Sequence, residues 1–421
     1  MLAVLLAFAT MLAVLALRDG AERPPGPTVA VDDLVRPTAS TDAEIRRLQA
    51  AVRAGQPVEA QLAAAYLQKV RETGDPSFYT RADGILQRAL ARGPEDADEL
   101  IEAATLAAGR HDFRGALRLA ERARALQPEA VAAYPVLVDA LVELGRYDRA
   151  ERTLQRMLDL KPALPSYARV SYFRELHGDL DGAVAAMALA VSAGGAVPEN
   201  VAYVQTLLGD LELARGRLGR ASRAYAMADA GVPGYVPAAA GRARLAARRG
   251  DLAAAIARWR RIVARLPLPE YVIALGETEL AAGRRDAGRR DLELVRAQQG
   301  LLDAARVNTD VEFALFEADH GDPRRGVRLA RQAWAAAPSV RSADALGWAL
   351  TRAGRPAAGL HWARRALRLG SVDPLFRYHA GISALAAARR GEGRRQLRLA
   401  LEHGLAAHPW QAQRAAREVR R

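Results

Sequence analysis

The amino-acid sequence predicts an all-α solenoid of about ten helix pairs. A small residue recurs at steps of 33, 34 or 38 residues over most of the chain, and a proline often follows it twelve residues later. No run of alternating β-branched residues suggests a strand. A period of this length is the signature of stacked helical units, each of which contacts only its neighbours. The small residues are Ala82, Ala116, Ala150, Ala183, Ala221, Ala255, Gly288, Gly326, Gly359 and Gly393. The prolines are Pro94, Pro128, Pro162, Pro233, Pro267 and Pro338.

Composition agrees with this prediction and excludes several kinds of site. Half of the 421 residues are hydrophobic but only 5% are aromatic, which fits helices packed through alanine and leucine. The chain has no cysteine, which excludes disulfides, thiolate metal sites, a cysteine nucleophile and a lipid-modified cysteine.

Residues 1–17 are predicted to be a membrane anchor. They contain no charged side chain, and as a helix the apolar run would span about 26 Å, slightly less than a bilayer core of about 30 Å. No Lys or Arg precedes the run, so the orientation is open, but we expect the rest of the chain to lie outside the cytoplasm. Two alternatives stay open. One is a cleaved signal, with Val14 and Ala16 before the cleavage site and a secreted product; the other is a leader helix packed on a soluble protein.

Residues 18–42 are predicted to be a linker. Pro24, Pro25, Pro27 and Pro37 lie among scattered charges, a composition typical of an extended tether.

Residues 43–405 carry the repeat, and their motifs resemble the tetratricopeptide repeat. Gly-Arg-Tyr at 145–147, Gly-Asp-Leu at 178–180 and Gly-Arg-Leu at 216–218 match the turn between the two helices of that repeat, and Leu-Gly at 208–209 and 275–276 matches its first helix. The resemblance implies a right-handed superhelix in which small residues let paired helices approach, an aromatic residue wedges between them and a proline ends the unit. The structural positions it assigns are Ala116, Pro128, Tyr147, Ala150, Pro162, Ala221, Pro233, Ala255, Pro267 and Pro338.

The resemblance also implies a concave groove, lined mainly by first helices, that binds a protein segment. Mapped onto the sequence, this lining contains eight acids and four arginines, although the chain as a whole carries a net charge of +13. We therefore expect a partner segment with basic residues. The candidate partner-binding residues are Asp139, Glu143, Tyr172, Asp210, Arg244, Arg248, Glu277 and Trp348. Binding of a peptide's terminal carboxylate is disfavoured, because Asn200 and Asn308 are the only asparagines and neither lysine lies in the groove.

The excess arginine falls on second helices, as at 258–261 and 364–365, and predicts a solvated convex face. Nucleic-acid binding by these arginines is a weaker alternative. Only two of the 61 basic residues other than histidine are lysines, which suggests coding bias instead of selection for phosphate contacts.

Nothing in the sequence predicts catalysis, a cofactor, a metal or a small-molecule substrate. No His-Glu-x-x-His, phosphate loop or nucleophile elbow occurs. His111, His177 and His320 are expected in turns, where a basic ring can interact with the negative end of a helix. The predicted function is a non-enzymatic, membrane-tethered interaction scaffold. An auxiliary subunit of a cell-envelope assembly or modifying complex is the alternative.

Three departures from the regular repeat carry expectations. The 38-residue steps predict loops at 193–200 and 298–307. The change from alanine to glycine at and after Gly288 predicts units that are either more pliable or more tightly packed. Residues 406–421 are predicted to be a closing helix that starts at Pro409 and covers the last unit with Trp410. A basic helix that binds a membrane surface or a partner is the alternative for this segment.

Overall fold

The computed structural model describes residues 41–93, 95–195 and 197–421. The predicted anchor at 1–17, most of the linker and Pro94 lie outside the described residues. Helix α1 begins at Thr41, within the last two residues of the predicted linker. Within the described ranges, every helix is too short or too polar to cross a bilayer.

The described part of the chain is helical, without strands, and contains 22 α-helices. Helix α1 and helix α22 flank ten antiparallel pairs, which confirms the predicted number. The helices are α1 Thr41–Arg53, α2 Glu59–Thr73, α3 Ser77–Leu90, α4 Ala97–Gly109, α5 Phe113–Leu126, α6 Ala133–Glu143, α7 Tyr147–Leu160, α8 Leu164–Leu176, α9 Leu180–Ala193, α10 Pro198–Ala214 and α11 Leu218–Gly231. The chain continues with α12 Val236–Arg248, α13 Leu252–Arg265, α14 Pro269–Ala281, α15 Arg285–Ala304, α16 Asp310–His320, α17 Pro323–Ala336, α18 Val340–Arg352, α19 Pro356–Ala366, α20 Pro374–Ala386, α21 Arg390–Glu402 and α22 Pro409–Arg420.

The five described repeat prolines end their helices as expected. Each lies two residues beyond the last residue of a second helix, as Pro128 does after Leu126 and Pro162 after Leu160. The turns inside the pairs also follow the sequence. Gly145 and its counterparts take a positive φ, and aspartates such as Asp112 cap the second helices by accepting a hydrogen bond from a backbone N–H.

The small repeat residues mark the place where the two helices of a pair cross. All six alanines at this position are fully buried. In the later units a Cβ on Gly288 would lie 2.7 Å from the carbonyl oxygen of Gly276, and one on Gly326 would lie 2.9 Å from that of Ala314. These helices therefore approach more closely than alanine allows, so glycine marks tighter packing here.

The prediction of a loop at 298–307 was wrong. Helix α15 continues to Ala304 and is the longest helix of the array, with 20 residues. Leu302, Ala305 and Val307 pack into the hydrophobic core around α1 and α2, so burial of these apolar side chains keeps the added residues helical. At 193–200 the chain leaves helix after Ala193 and re-enters it at Pro198.

Successive turns of the right-handed superhelix touch each other. His111 Nδ1 lies 2.6 Å from the carbonyl oxygen of Asn308, and the Val340 N–H donates to Tyr147 Oη at 2.9 Å. These partners are 197 and 193 residues apart, so one superhelical turn takes between five and six units. Arg114 adds two bonds to the last carbonyl groups of α17, at 2.7 and 3.0 Å. The array is thus closed along its length.

The C-terminal segment forms the predicted helix, but it covers more than the last unit. Gln411 donates to Glu277 and Gln413 donates to the carbonyl oxygen of Ala281, both in α14 and both at 2.9 Å. Trp410 packs on His320, with ring centroids 5.0 Å apart. Helix α22 therefore also closes the inside of the superhelix against α14 and α16.

Candidate functional site: the axial channel

Contact between successive turns narrows the predicted groove to a partly open space, called here the axial channel. It is lined mainly by first helices and by residues 403–411. Its larger cavity, of about 290 Å³, lies among α2, α12, α14, α16 and α20, and a second cavity of about 140 Å³ lies among α6, α8, α10 and α20. Arg244, Leu375, Ala407 and His408 line both cavities and so stand between them.

Asp139 and Arg169 form an ion pair on the wall of the smaller cavity. Arg169 Nε lies 2.9 Å from Asp139 Oδ1, and Nη2 lies 2.6 Å from Oδ2. Both side chains are almost fully buried. The carboxylate of Asp139 therefore already has a cationic partner within the chain.

Asp210 has a similar arrangement. Its Oδ1 accepts hydrogen bonds from Arg244 at 2.7 Å and from Tyr225 at 2.6 Å. Burial lowers the pKa of Arg244, but Asp210 outweighs it and raises the pKa overall. Two predicted site residues are thus brought together as partners of each other.

Glu143 is held more loosely, between Tyr172 and Arg341. Tyr172 Oη lies 3.5 Å from Glu143 Oε1, and Arg341 Nη1 lies 3.9 Å from it. Burial raises the pKa of Glu143, against the opposing effect of Arg341.

Glu277, which lines the larger cavity, accepts hydrogen bonds from α16 and α22. Its oxygens lie 2.9 Å from His320 Nε2 and 2.9 Å from Gln411 Nε2. Burial raises the pKa of Glu277, but the hydrogen bonds from His320 and Gln411 outweigh burial and lower it. Glu277 therefore anchors the C-terminal helix.

The remaining two predicted residues differ in exposure. Trp348 is fully buried and stacks on His379, which in turn pairs with Asp344 at 2.8 Å. Arg248 is half-buried at the end of α12, and burial lowers its pKa. The partner-binding role of all eight residues stays a prediction, but the structure places most of them in contacts within the chain.

A family model described as tetratricopeptide repeat matches residues 105–170, which run from within α4 into α8 and include the Asp139–Arg169 pair. The matched stretch contains the whole of α5, α6 and α7. Over these residues the chain matches the tetratricopeptide repeat family.

No curated protein sequence matches this chain. Among solved structures, it is similar to the thermophilic TPR protein TTC0263 of Thermus thermophilus, with 22% identity over 49% of this chain and 97% of that one and a TM-score of 0.36. It is similar to the type IV pilus biogenesis factor PilW, with 18% identity over 50% and 99% of the two chains and a TM-score of 0.41. It is also similar to human IFIT1 in a dimer with PPP-AAAA, with 14% identity over 78% of each chain and a TM-score of 0.48.

Sequence mapping missed most of the partners within this repeat protein, although a signal for them exists. Acids on one first helix pair with bases on the next at similar spacings. Asp139 pairs with Arg169 after 30 residues, Asp210 with Arg244 after 34, and Asp344 with His379 after 35. Opposite charges about one repeat apart would have indicated internal pairing.

Mapping also missed an acid that has no partner. Glu175 lines the smaller cavity with Asp210 and Asp373, and its carboxylate forms no hydrogen bond or ion pair with a described residue. Burial, together with Asp373 and Asp210, raises the pKa of Glu175 to about 8. In the larger cavity, burial raises the pKa of Glu270 to about 7.

Proposed function

We propose that this chain is a non-enzymatic interaction scaffold whose axial channel holds a protein segment with a basic side chain. Tetratricopeptide repeat proteins are in general scaffolds for protein interactions. The observation that carries the finer proposal is the excess of acid in the channel. Glu175 faces the smaller cavity beside Asp210 and Asp373 without a cation. A lysine or arginine side chain of a partner would supply that missing charge.

Glu270 is the second acid that supports this proposal. It lines the larger cavity, where Glu277 and Glu312 also lie. Glu277 is engaged by His320, and Glu312 lies 3.6 Å from Arg341. No described cation forms an ion pair with Glu270, so it is free to meet a basic group.

The proposal changes which acids should be tested first. Removing Asp139 or Asp210 would break an internal ion pair, and the loss of fold would imitate a loss of binding. Glu175 and Glu270 have no such partner. Their conversion to glutamine keeps shape and polarity while it removes the charge.

The test compares nine-residue labelled peptides of equal alanine and leucine content that carry arginine, glutamine or glutamate at the centre. Fluorescence anisotropy should show that the full chain prefers the arginine peptide, and that Glu175→Gln with Glu270→Gln weakens this binding by about tenfold or more. The matched control changes Glu129 and Glu151, both exposed, to glutamine and should bind like wild type. Equal binding of the three peptides would overturn the basic-segment proposal.

We also propose that residues 1–17 tether the scaffold to a membrane with the array outside the cytoplasm. The apolar, uncharged sequence of that segment supports it. A reporter that is active on only one side of the membrane, fused after Arg421, tests the orientation. Activity on the cytoplasmic side would overturn it.

A further inference from the structure

Arg71 is a buried cation without a hydrogen-bond partner. It lies near the end of α2, with a side chain only 2% exposed. Nε, Nη1 and Nη2 all lack an acceptor among the described residues. A guanidinium group has five N–H donors in a fixed fork, and burying it unpaired is strongly unfavourable.

The nearest carboxylate does not satisfy Arg71. Oε2 of Glu199 is 4.0 Å from Arg71 Nε, which is beyond hydrogen-bonding distance. The same oxygen accepts a hydrogen bond from Gln68. Burial raises the pKa of Glu199, against the opposing effects of Arg71 and Gln68.

The space in front of Arg71 is the cavity of about 290 Å³. Tyr79 lines it as well, and its hydroxyl forms no hydrogen bond with a described residue. Val70, Leu268 and Trp259 provide apolar wall. A guanidinium group beside an apolar surface is suited to bind an oxyanion that carries an apolar chain.

The carboxylates that line this cavity, including the unpaired Glu270, form no hydrogen bond with Arg71. Arg244, the second arginine of the lining, is paired with Asp210. Asp319 lies 3.9 Å from Arg352, and Glu277 is held by His320 and Gln411. Arg244 lacks a partner only at Nε, so Arg71 is the arginine of this lining whose whole guanidinium has no hydrogen-bond acceptor among the described residues.

We propose that the larger cavity is a binding site for an apolar carboxylate, whose two oxygens accept hydrogen bonds from Arg71. One guanidinium balances one negative charge. A phosphate dianion would bring a second charge into a cavity that Glu270 and Glu312 already line. The carboxylate is that of a small organic acid, since the chain lacks the groove asparagine and lysine that would bind a peptide's terminal carboxylate. This site goes beyond the scaffold proposal, which concerns basic segments.

Calorimetric titration of the full chain tests the site with hexanoate against hexanamide, and with acetyl-Leu-Leu acid against its C-terminal amide. We expect hexanoate to bind about tenfold or more tightly than hexanamide, because the amide lacks the charge that Arg71 requires. Preference for hexanoate supports the small-acid site, and a preference shown only by the peptide acid would overturn it.

Arg71→Met should abolish this preference while it keeps an apolar side chain of similar length. Arg88→Met, an exposed arginine on α3, serves as the matched control and should bind like wild type. Equal binding of acid and amide by the wild type overturns the proposal without any variant. So does an unchanged preference in Arg71→Met. Since neither ligand is basic, the carboxylate site and the basic-segment site can fail separately.

Discussion

Arg169 and Asp139 form a two-bond ion pair that joins the first helices of neighbouring units, with Nε to Oδ1 at 2.9 Å and Nη2 to Oδ2 at 2.6 Å. Arg169 also donates to the carbonyl oxygen of Pro165 at 3.0 Å. Both charged groups are withdrawn from water, so each depends on the other for its compensation. The pair holds α6 and α8 in a fixed relation along the channel wall.

Removing one partner should therefore cost far more than removing a surface pair. Arg169→Met leaves the buried Asp139 without its cation, and we expect the free energy of unfolding to fall by about 3–5 kcal/mol. Guanidinium denaturation followed by circular dichroism measures this. The control is Arg156→Met, whose pair with Glu129 is at least half exposed and is expected to contribute about 0–1 kcal/mol. Equal losses in the two variants would contradict the role assigned to burial.

Alanine substitutions at two glycines should change the stability of the protein in opposite directions. A Cβ on Gly347 would lie 2.8 Å from the backbone nitrogen of Ala363 and 2.9 Å from the carbonyl oxygen of Gly359. Gly347→Ala should destabilise the protein by about 1–3 kcal/mol, since α18 and α19 must move apart. Gly300 lies inside α15 with open space around it, so Gly300→Ala should stabilise the protein by about 0.5–1 kcal/mol. Thermal unfolding of both variants checks the signs, and a gain for Gly347→Ala would refute the close approach.

The sequence predicted the helix pairs because the relevant physics is local. Pro128 and Pro162 follow the ends of helices because proline has no backbone N–H to donate. Ala116 and Ala150 are small and buried where two helices cross. Closure of the superhelix could not be predicted in this way. The course of the superhelix results from small rotations between successive units, which add up along the chain. Contacts such as that of Tyr147 with Val340 depend on the rotations accumulated over 193 residues.

The candidate site could also be predicted only in part. Mapping placed Asp139 and Asp210 on the inner wall, where they lie. It did not predict that Arg169 and Arg244 neutralise them, because each pairing depends on the rotation between adjacent first helices. Glu175 was missed for a related reason: it lies beside the second cavity only because α8 and α20 come together across the channel.

The unpaired Glu175 predicts a pH dependence of stability. Its pKa is raised to about 8 in the folded protein, first by burial and then by Asp373 and Asp210, whereas an unfolded glutamate has a pKa of about 4.3. The unfolded chain thus loses this proton first, so the contribution to stability is complete below about pH 4.3 and is lost as pH rises towards 8. Glu175→Gln should reduce the decline of wild-type stability between about pH 5 and 8. Denaturant midpoints across this range test it, with Glu151→Gln as the exposed control; parallel curves for wild type and Glu175→Gln would argue against the assignment.

Because successive superhelical turns touch each other, one methyl group added at such a contact should change the overall shape of the protein. Gly145 has φ +68°, and a Cβ there would overlap the carbonyl group of Pro338 in the next superhelical turn. Gly283 occupies the same kind of turn with φ +79°, but nothing lies within 4 Å of its Cβ position. Both Gly145→Ala and Gly283→Ala should lower the free energy of unfolding by about 1 kcal/mol, because alanine is strained in the left-handed backbone conformation.

Only Gly145→Ala should also push successive turns apart, since its methyl group meets backbone that cannot rotate away. Small-angle X-ray scattering should therefore show a larger radius of gyration for Gly145→Ala and an unchanged one for Gly283→Ala. Equal radii in the two variants would mean that the contact between turns does not hold the array closed in solution.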